Sequence, residues 1–243
     1  METKPGLFNN TRYNLSIRFG SDGFSLYIRD ENDLLVSSKK VQAPLFTMPE
    51  EAIALLLAKE TETRPVIDRI RIIAETDNYT FVPDMVFRPA DMESLLYFLK
   101  KPEPAEQVMY QAIAKWGVVN VFSLPKALYK AILNTFPEAK IEHHTGYLLD
   151  GKIKPRAGSS LHIFIRSKNM DCIGISNGDL ILANSFPFAT PEDFAYHALN
   201  IFEQLSLDIE KCRVYLYDSE RATEYRFLLQ KFIKSCETVD IND

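Results

Sequence analysis

Ser160-Leu-His-Ile-Phe-Ile-Arg166, Asp171-Cys-Ile-Gly-Ile175, Asp179-Leu-Ile-Leu-Ala183 and Thr190-Pro-Glu-Asp193 follow one another, and an apolar-periodic run continues to Phe202. The first three segments read as short antiparallel strands. The fourth reads as a helix start, with proline at the first helical position and acids in the first turn. A weaker copy begins at Asn14. Leu15, Ile17, Phe19, Ser21, Asp33, Leu34 and Leu35 match Leu161, Ile163, Ile165, Ser167, Asp179, Leu180 and Ile181, each pair 146 residues apart. Pro49-Glu-Glu matches Pro191-Glu-Asp at an offset of 142, and Arg69-Ile-Arg-Ile-Ile matches Arg213-Val-Tyr-Leu-Tyr at 144. Element order, phase and spacing agree over a stretch too long for short apolar strings alone, which points to an internal repeat.

The first copy can be taken element by element. A polar lead-in reaches about Arg12. Leu15-Ser-Ile-Arg-Phe alternates with period two, Gly20-Ser-Asp-Gly23 is a turn in which glycine can take positive φ, and Phe24-Ser-Leu-Tyr-Ile returns. A helix is expected from Glu50 to about Glu60, a strand at Ile70-Arg-Ile-Ile, an extended Tyr79-Thr-Phe-Val, and a helix from Pro89 to Leu99. Gln107 to Ala114 and Val118 to Phe122 form a hairpin around Lys115-Trp-Gly117. A helix from Pro125 to about Thr135 and a strand at Ile141-Glu-His-His follow. After the second copy a final helix from Ala222 to about Lys234 is expected to turn Tyr225, Leu228, Leu229 and Phe232 inward, with a frayed end.

Composition narrows the classes of function. The 243 residues are 46% hydrophobic and 25% charged, an ordinary globular balance with room for two lobes. A formal charge of −5 argues against non-specific nucleic-acid or anionic-membrane binding. Cys172, Cys212 and Cys236 are far apart and form no Cys-x-x-Cys, which favours a reducing, cytoplasmic setting. The N-terminal residues carry no signal-like apolar core, and no apolar run approaches a membrane span.

Two copies of three antiparallel strands, helix, strand and helix resemble the actin-like ATPase (ribonuclease H-like) fold. The resemblance implies an α/β protein of two lobes, each with a mixed five-stranded sheet flanked by helices. The first lobe would span 12–157, with an inserted subdomain at about 107–150, and the second 158–243. Val118-Val-Asn-Val-Phe-Ser-Leu-Pro-Lys, a helix, Phe136-Pro and Ile141-Glu-His-His are similar to the block inserted in pilus-assembly and type II secretion actin-like proteins. Over nearly its full length, with strings such as Asn120-Val-Phe-Ser-Leu-Pro, the chain more closely resembles an uncharacterised bacterial family, domain of unknown function 3822.

In active actin-like members the first phosphate hairpin reads Asp-x-Gly-Ser/Thr, where the acid holds hydrated metal and the glycine lets backbone approach phosphate. Here the corresponding strings are Arg18-Phe-Gly20-Ser21 and Phe164-Ile-Arg166-Ser167. Arginine and phenylalanine replace the acid, and Arg166 replaces a glycine. The glycine pair the resemblance places later is replaced by Tyr217-Asp-Ser-Glu-Arg-Ala. The expectation is a fold kept without ATP hydrolysis: a scaffold or adaptor binding a protein partner or itself, with no cofactor, metal, nucleic acid or membrane span. Two alternatives stand beside it. One is a divergent nucleotide-binding ATPase or kinase using other residues. The other is an anion-binding protein in which Arg18 and Arg166 face one cleft beside Gly20, Ser21 and Ser167.

Other constellations are weaker. His143 and His144, adjacent on a strand, would point to opposite faces and are read as structural or surface histidines. Cys172 and Cys212 read as buried small hydrophobes. A ribonuclease-H-like nuclease would need clustered carboxylates, and Asp171 stands alone in the second copy. The tyrosines and phenylalanines at 215, 217, 225 and 227 read as core or subunit contacts. No Walker loop, nucleophile elbow or Gly-x-Gly-x-x-Gly is present.

Overall fold

The computed structural model describes residues 12–62, 66–98, 101–102, 105–217 and 222–239. The expectations for the polar lead-in before Arg12, the four terminal residues and the segment 218–221 fall outside these. The chain forms two compact units, Met1–Asp150 and Gly151–Asp243.

The first unit opens with β1 (Tyr13–Gly20), β2 (Gly23–Arg29) and β3 (Leu35–Gln42), followed by α1 (Glu50–Thr61) and β4 (Ile67–Ala74). Along β1 the residues Leu15, Ile17 and Phe19 are buried while Asn14, Ser16 and Arg18 are half-buried, as period two requires of a sheet with one core face. The β1–β2 turn depends on Gly23. Its φ is +143°, and a Cβ there would stand 2.0 Å from the Val41 carbonyl oxygen.

The chain then builds β5 (Tyr79–Pro83), α2 (Met92–Leu96), β6 (Glu106–Ile113), β7 (Val118–Pro125) and α3 (Lys126–Thr135). It returns through β8 (Lys140–His143) to α4 (His144–Tyr147). The main sheet runs β3-β2-β1-β4-β8, and a separate sheet runs β5-β7-β6. Ile17 and Phe19 of β1, Ile53 and Leu57 of α1, and Leu128 and Ile132 of α3 share one core. α2 is shorter than expected. Pro89–Asp91 make a 3-10 turn first, and the helix stops where Tyr97 N–H donates to the Glu93 carbonyl.

The second unit repeats the pattern with β9 (Ser159–Ile165), β10 (Asn169–Ser176), β11 (Asp179–Pro187), α5 (Pro191–Gln204), β12 (Arg213–Tyr217), α6 (Ala222–Leu229) and β13 (Ser235–Val239). Its sheet runs β11-β10-β9-β12-β13, the same connectivity as the first. Register matches as well. Ile17 faces Leu26 in the first hairpin and Ile163 faces Cys172 in the second, with both partners shifted by 146. In the parallel pairs Leu15 faces Ile70 and Leu161 faces Val214. The next hairpin is irregular after Ile28 and again after Gly174, also 146 residues on.

The end of the chain differs from expectation. α6 stops at Leu229, whose carbonyl accepts from the Phe232 and Ile233 N–H groups at 2.9 Å each. This tightened turn leaves Phe232 52% exposed, not inward, while Tyr225 and Leu229 are buried. β13 then pairs parallel with β12 and supplies the fifth strand.

The start of α5 is held by its side chains. Thr190 Oγ1 accepts from the Asp193 N–H, and the Asp193 carboxylate accepts from the Thr190 and Ala189 N–H groups, each at 3.1 Å. These bonds hold the Asp193 carboxyl below the usual carboxylate range. Thr190→Ala is expected to lower stability by about 1 kcal/mol and Thr190→Ser to restore most of it, read from urea midpoints. Equal midpoints for all three proteins would rule out the cap as a stabilising element.

Candidate functional site

The two strand-end hairpins carry the residues singled out by sequence. In the first, Arg18 lies on β1 opposite Ser25 and beside Ile73 of β4. The Glu75 N–H donates to the Phe19 carbonyl at 2.7 Å, which brings the Glu75 side chain to the strand end. Arg18 Nη1 then lies 3.3 Å from Glu75 Oε1, with each side chain more than three-quarters buried. The Arg18 Nε is buried without a hydrogen-bond partner. Gly20 closes the strand. A Cβ on it would meet Asp22 Oδ1 at 3.2 Å and Glu75 Oε2 at 3.5 Å, so two carboxylates crowd this backbone. Ser21 is exposed in the turn.

In the second hairpin the positions 146 residues on hold different chemistry. Phe164 stands at the position equivalent to Arg18 of the first unit and stacks on Tyr217, with centroids 4.1 Å apart and planes 19° apart. Arg166 stands at the position equivalent to Gly20 of the first unit. Its guanidinium forks onto Asp171, Nε to Oδ2 at 2.7 Å and Nη2 to Oδ1 at 2.9 Å. Asp171 is fully buried and also accepts from the Ser185 hydroxyl. Asp171, read from the sequence as an acid outside any carboxylate cluster, is thus an acceptor for an arginine and a serine. Arg166 sits one residue past the last paired residue of β9, and the tight turn lets it reach back across the hairpin. Ser167 is exposed in that turn.

The two predicted arginines are thus each bonded to an acid of their own unit, a pairing that strand patterns alone did not reveal. The acids involved, Glu75 and Asp171, were missed as partners. The usable signal was a lone carboxylate five residues past an arginine across a predicted turn.

His143 and His144 do not sit on opposite faces of one strand. β8 ends at His143 and α4 begins at His144, so the rings come together with centroids 4.3 Å apart. His143 is fully buried, its Nδ1 2.7 Å from Thr145 Oγ1 and its Nε2 3.1 Å from the Thr76 carbonyl. These bonds make it a structural histidine. Gly146 gives the nearby turn its room, because a Cβ would fall 2.2 Å from Gln111 Oε1, the atom that accepts from the His143 N–H. Among the described residues no group of three His, Cys, Asp or Glu side chains is placed to hold a metal ion.

All three cysteines are free and buried. Burial, with Asp171 beside it, raises the Cys172 thiol well above its usual range. Burial raises Cys212 and Cys236 to about 11 each. All three are neutral thiols at pH 7, poor nucleophiles by character and by access. No helix of the described residues is long and apolar enough to cross a membrane.

Two equivalent mixed sheets with an inserted three-stranded sheet define an actin-like ATPase fold. The chain belongs to the family of proteins of unknown function designated DUF3822, which matches residues 6–236. A Bacteroides thetaiotaomicron protein with actin-like ATPase fold and unknown function superposes with a TM-score of 0.77 at 24% identity, covering 93% of this chain and 90% of that one. The PilM–PilN type IV pilus biogenesis complex matches at 0.54 and 14% identity, over 93% and 88% of the two chains. The ethanolamine utilization protein EutJ from Carboxydothermus hydrogenoformans matches at 0.50 and 10% identity, over 95% and 85%. No curated protein matches the sequence.

Proposed function

We propose that this protein is a non-catalytic actin-like scaffold or adaptor, cytoplasmic, that works by binding another protein or a second copy of itself. The observation that carries the reading is the internal pairing of both hairpin arginines, Arg18 with Glu75 and Arg166 with Asp171. At the position where the family resemblance would put the metal-holding acid, the first unit has a paired cation and the second a stacked Phe164. At the position of a phosphate-approaching glycine, the second unit has the paired Arg166 side chain. In this reading Arg18, Gly20, Ser21, Arg166 and Ser167 serve the fold of the hairpins and do not contact a nucleotide. The shared strand order and register support an origin by tandem duplication, followed by separate drift of the two hairpins. Protein binding is supported by the PilM neighbour, which is found in a complex with PilN.

The test is turnover and magnesium dependence. The purified chain should release no phosphate from ATP above a no-protein control, and adding Mg²⁺ should not change its melting temperature in the presence of ATP. Affinity purification from its own cells should recover a protein in near-stoichiometric amount, or light scattering should show a dimer. Hydrolysis that requires Mg²⁺, or a melting shift of several degrees that appears only with Mg²⁺, would overturn the reading.

A further inference from the structure

The second unit has a face that neither the hairpins nor the scaffold reading uses. Leu161, Ile163, Val214, Leu216 and Cys236 point into the core with α5 and α6. Alternation therefore turns Ser160, His162, Arg213 and Tyr215 to the opposite face. Register sets Arg213 beside Ser160 and Tyr215 beside His162. A cavity of about 400 Å³ opens there. The segment entering β9 contributes Lys152, Lys154 and Arg156 to its wall, and the start of β12 contributes Lys211 and Arg213. Among the described residues no Asp or Glu lines it.

Five cations around one hollow, in a chain whose net charge is −5, is a concentrated field of one sign. Lys211 is paired with Asp208 at 3.1 Å. Lys152, Lys154, Arg156 and Arg213 have no ion pair among the described residues. Among the described residues the acids on the same sheet face are Glu237, opposite Tyr215 on β13, and Asp171, opposite Phe164 on β10 and paired with Arg166. By contrast, a hollow in the first unit is lined by both signs, with Arg71 and Lys140 both paired to Glu142. The floor of the basic cavity is neutral and rich in hydrogen-bonding groups. Tyr215 stacks on His162 at 4.9 Å and 21°, and His162 Nδ1 shares a 2.8 Å hydrogen bond with the Tyr217 hydroxyl. Ser160 Oγ lies 3.2 Å from His162 Nε2.

We propose that this cavity binds a small, multiply charged phosphate anion, gripped by Arg156 and Arg213 and surrounded by Lys152, Lys154 and Lys211. Several formal positive charges, with no lining acid among the described residues, match an anion of more than one charge. Guanidinium forks and hydroxyl donors match phosphate oxygens. The enclosed volume is that of a small-molecule pocket, and the acidic chain around it disfavours a long polyanion. Arg156 also acts on the floor, since its charge, after burial itself, keeps His162 unprotonated.

Calorimetry on the full chain, without Mg²⁺, tests this with inorganic pyrophosphate, inorganic triphosphate and ATP at low and high salt. Triphosphate should bind more tightly than pyrophosphate and weaken as salt rises. Arg156→Gln and Arg213→Gln should each cost about ten-fold in affinity. Both side chains are exposed, so the variants should melt as the parent does without ligand. Lys59→Gln, on the exposed side of α1, should leave binding unchanged. Equal affinity for ATP and triphosphate would identify an inorganic phosphate chain as sufficient. Tighter ATP binding lost in Tyr215→Leu would identify a nucleotide, and both outcomes support the site. Absence of binding by all three anions, binding indifferent to both arginine changes, or tighter binding of a poly-glutamate peptide than of triphosphate would overturn it.

Discussion

Asp171→Ala should lower the stability of the second unit by about 3–5 kcal/mol, the range for removing one partner of a buried ion pair. Asp171 has no exposure, and its two oxygens accept from the Arg166 fork at 2.7 and 2.9 Å and from Ser185. Removing the carboxylate takes an acceptor from a guanidinium that is itself 18% exposed and from the half-buried Ser185 hydroxyl. The loss comes mainly from the desolvated groups that lose their acceptor, not from the attraction of the pair. Arg166→Met with Asp171→Leu should therefore recover much of the stability that Asp171→Ala removes. Urea unfolding and amide exchange are the measurements, and the accelerated exchange should fall on β9, β10 and β11. A cost below about 1 kcal/mol would show that the pair is an ordinary surface contact. The outcome also bears on function. If Arg166 is a structural member of the hairpin, Asp171→Ala should open no new nucleotide binding beyond what the folded parent has.

How far the sequence could be read follows from the same residues. The strand pattern shared by the two units was legible because Leu15, Ile17 and Phe19 and the residues at 161, 163 and 165 alternate around one core face in each, and pleat geometry ties that alternation to register. The 146-residue offset in the sequence reappears as the 146-residue offset of the Ile17–Leu26 and Ile163–Cys172 pairs. β13 was not legible. Ser235-Cys-Glu-Thr-Val239 buries Cys236 alone, so it carries no alternation and is defined by β12, its long-range partner. Phe232 was misread because the helical period continues past the point where the Leu229 carbonyl tightens the turn. The arginines were legible as departures from a phosphate hairpin, but their partners were not. Glu75 lies three strands and a helix beyond Arg18, and the Arg166 contact depends on how one turn bends. The basic cavity escaped entirely. Its cations come from the segment just before the expected lobe boundary at 157–158 and from the start of β12, and are brought together by β9–β12 pairing.

His162 should make the second unit lose stability as pH falls from 6.5 toward 4. Its folded pKa is lowered from 6.5 to about 4, first by burial and then by the Arg156 charge. The unfolded chain takes up the His162 proton as pH drops through 6.5, whereas the folded chain resists until about 4. Between those values the unfolded state binds more protons, so stability rises with pH across the window and is lost on acidification. The contribution is fully present above 6.5, and about 3 kcal/mol is lost by pH 4. Structure gives the reason. Neutral His162 shares a hydrogen bond with the Tyr217 hydroxyl and another with Ser160, and Tyr215 stacks over the ring. Protonation makes both ring nitrogens donors and places a charge under Arg156. In His162→Gln the wild-type advantage should shrink steadily between pH 6.5 and 4, whatever the other carboxylates contribute to both proteins. Arg156→Gln should raise the His162 midpoint, read from its ring protons by NMR, because the smaller of the two causes is gone. A His162 midpoint near 6.5 in the folded protein would remove both the pH dependence and the picture of a neutral cavity floor.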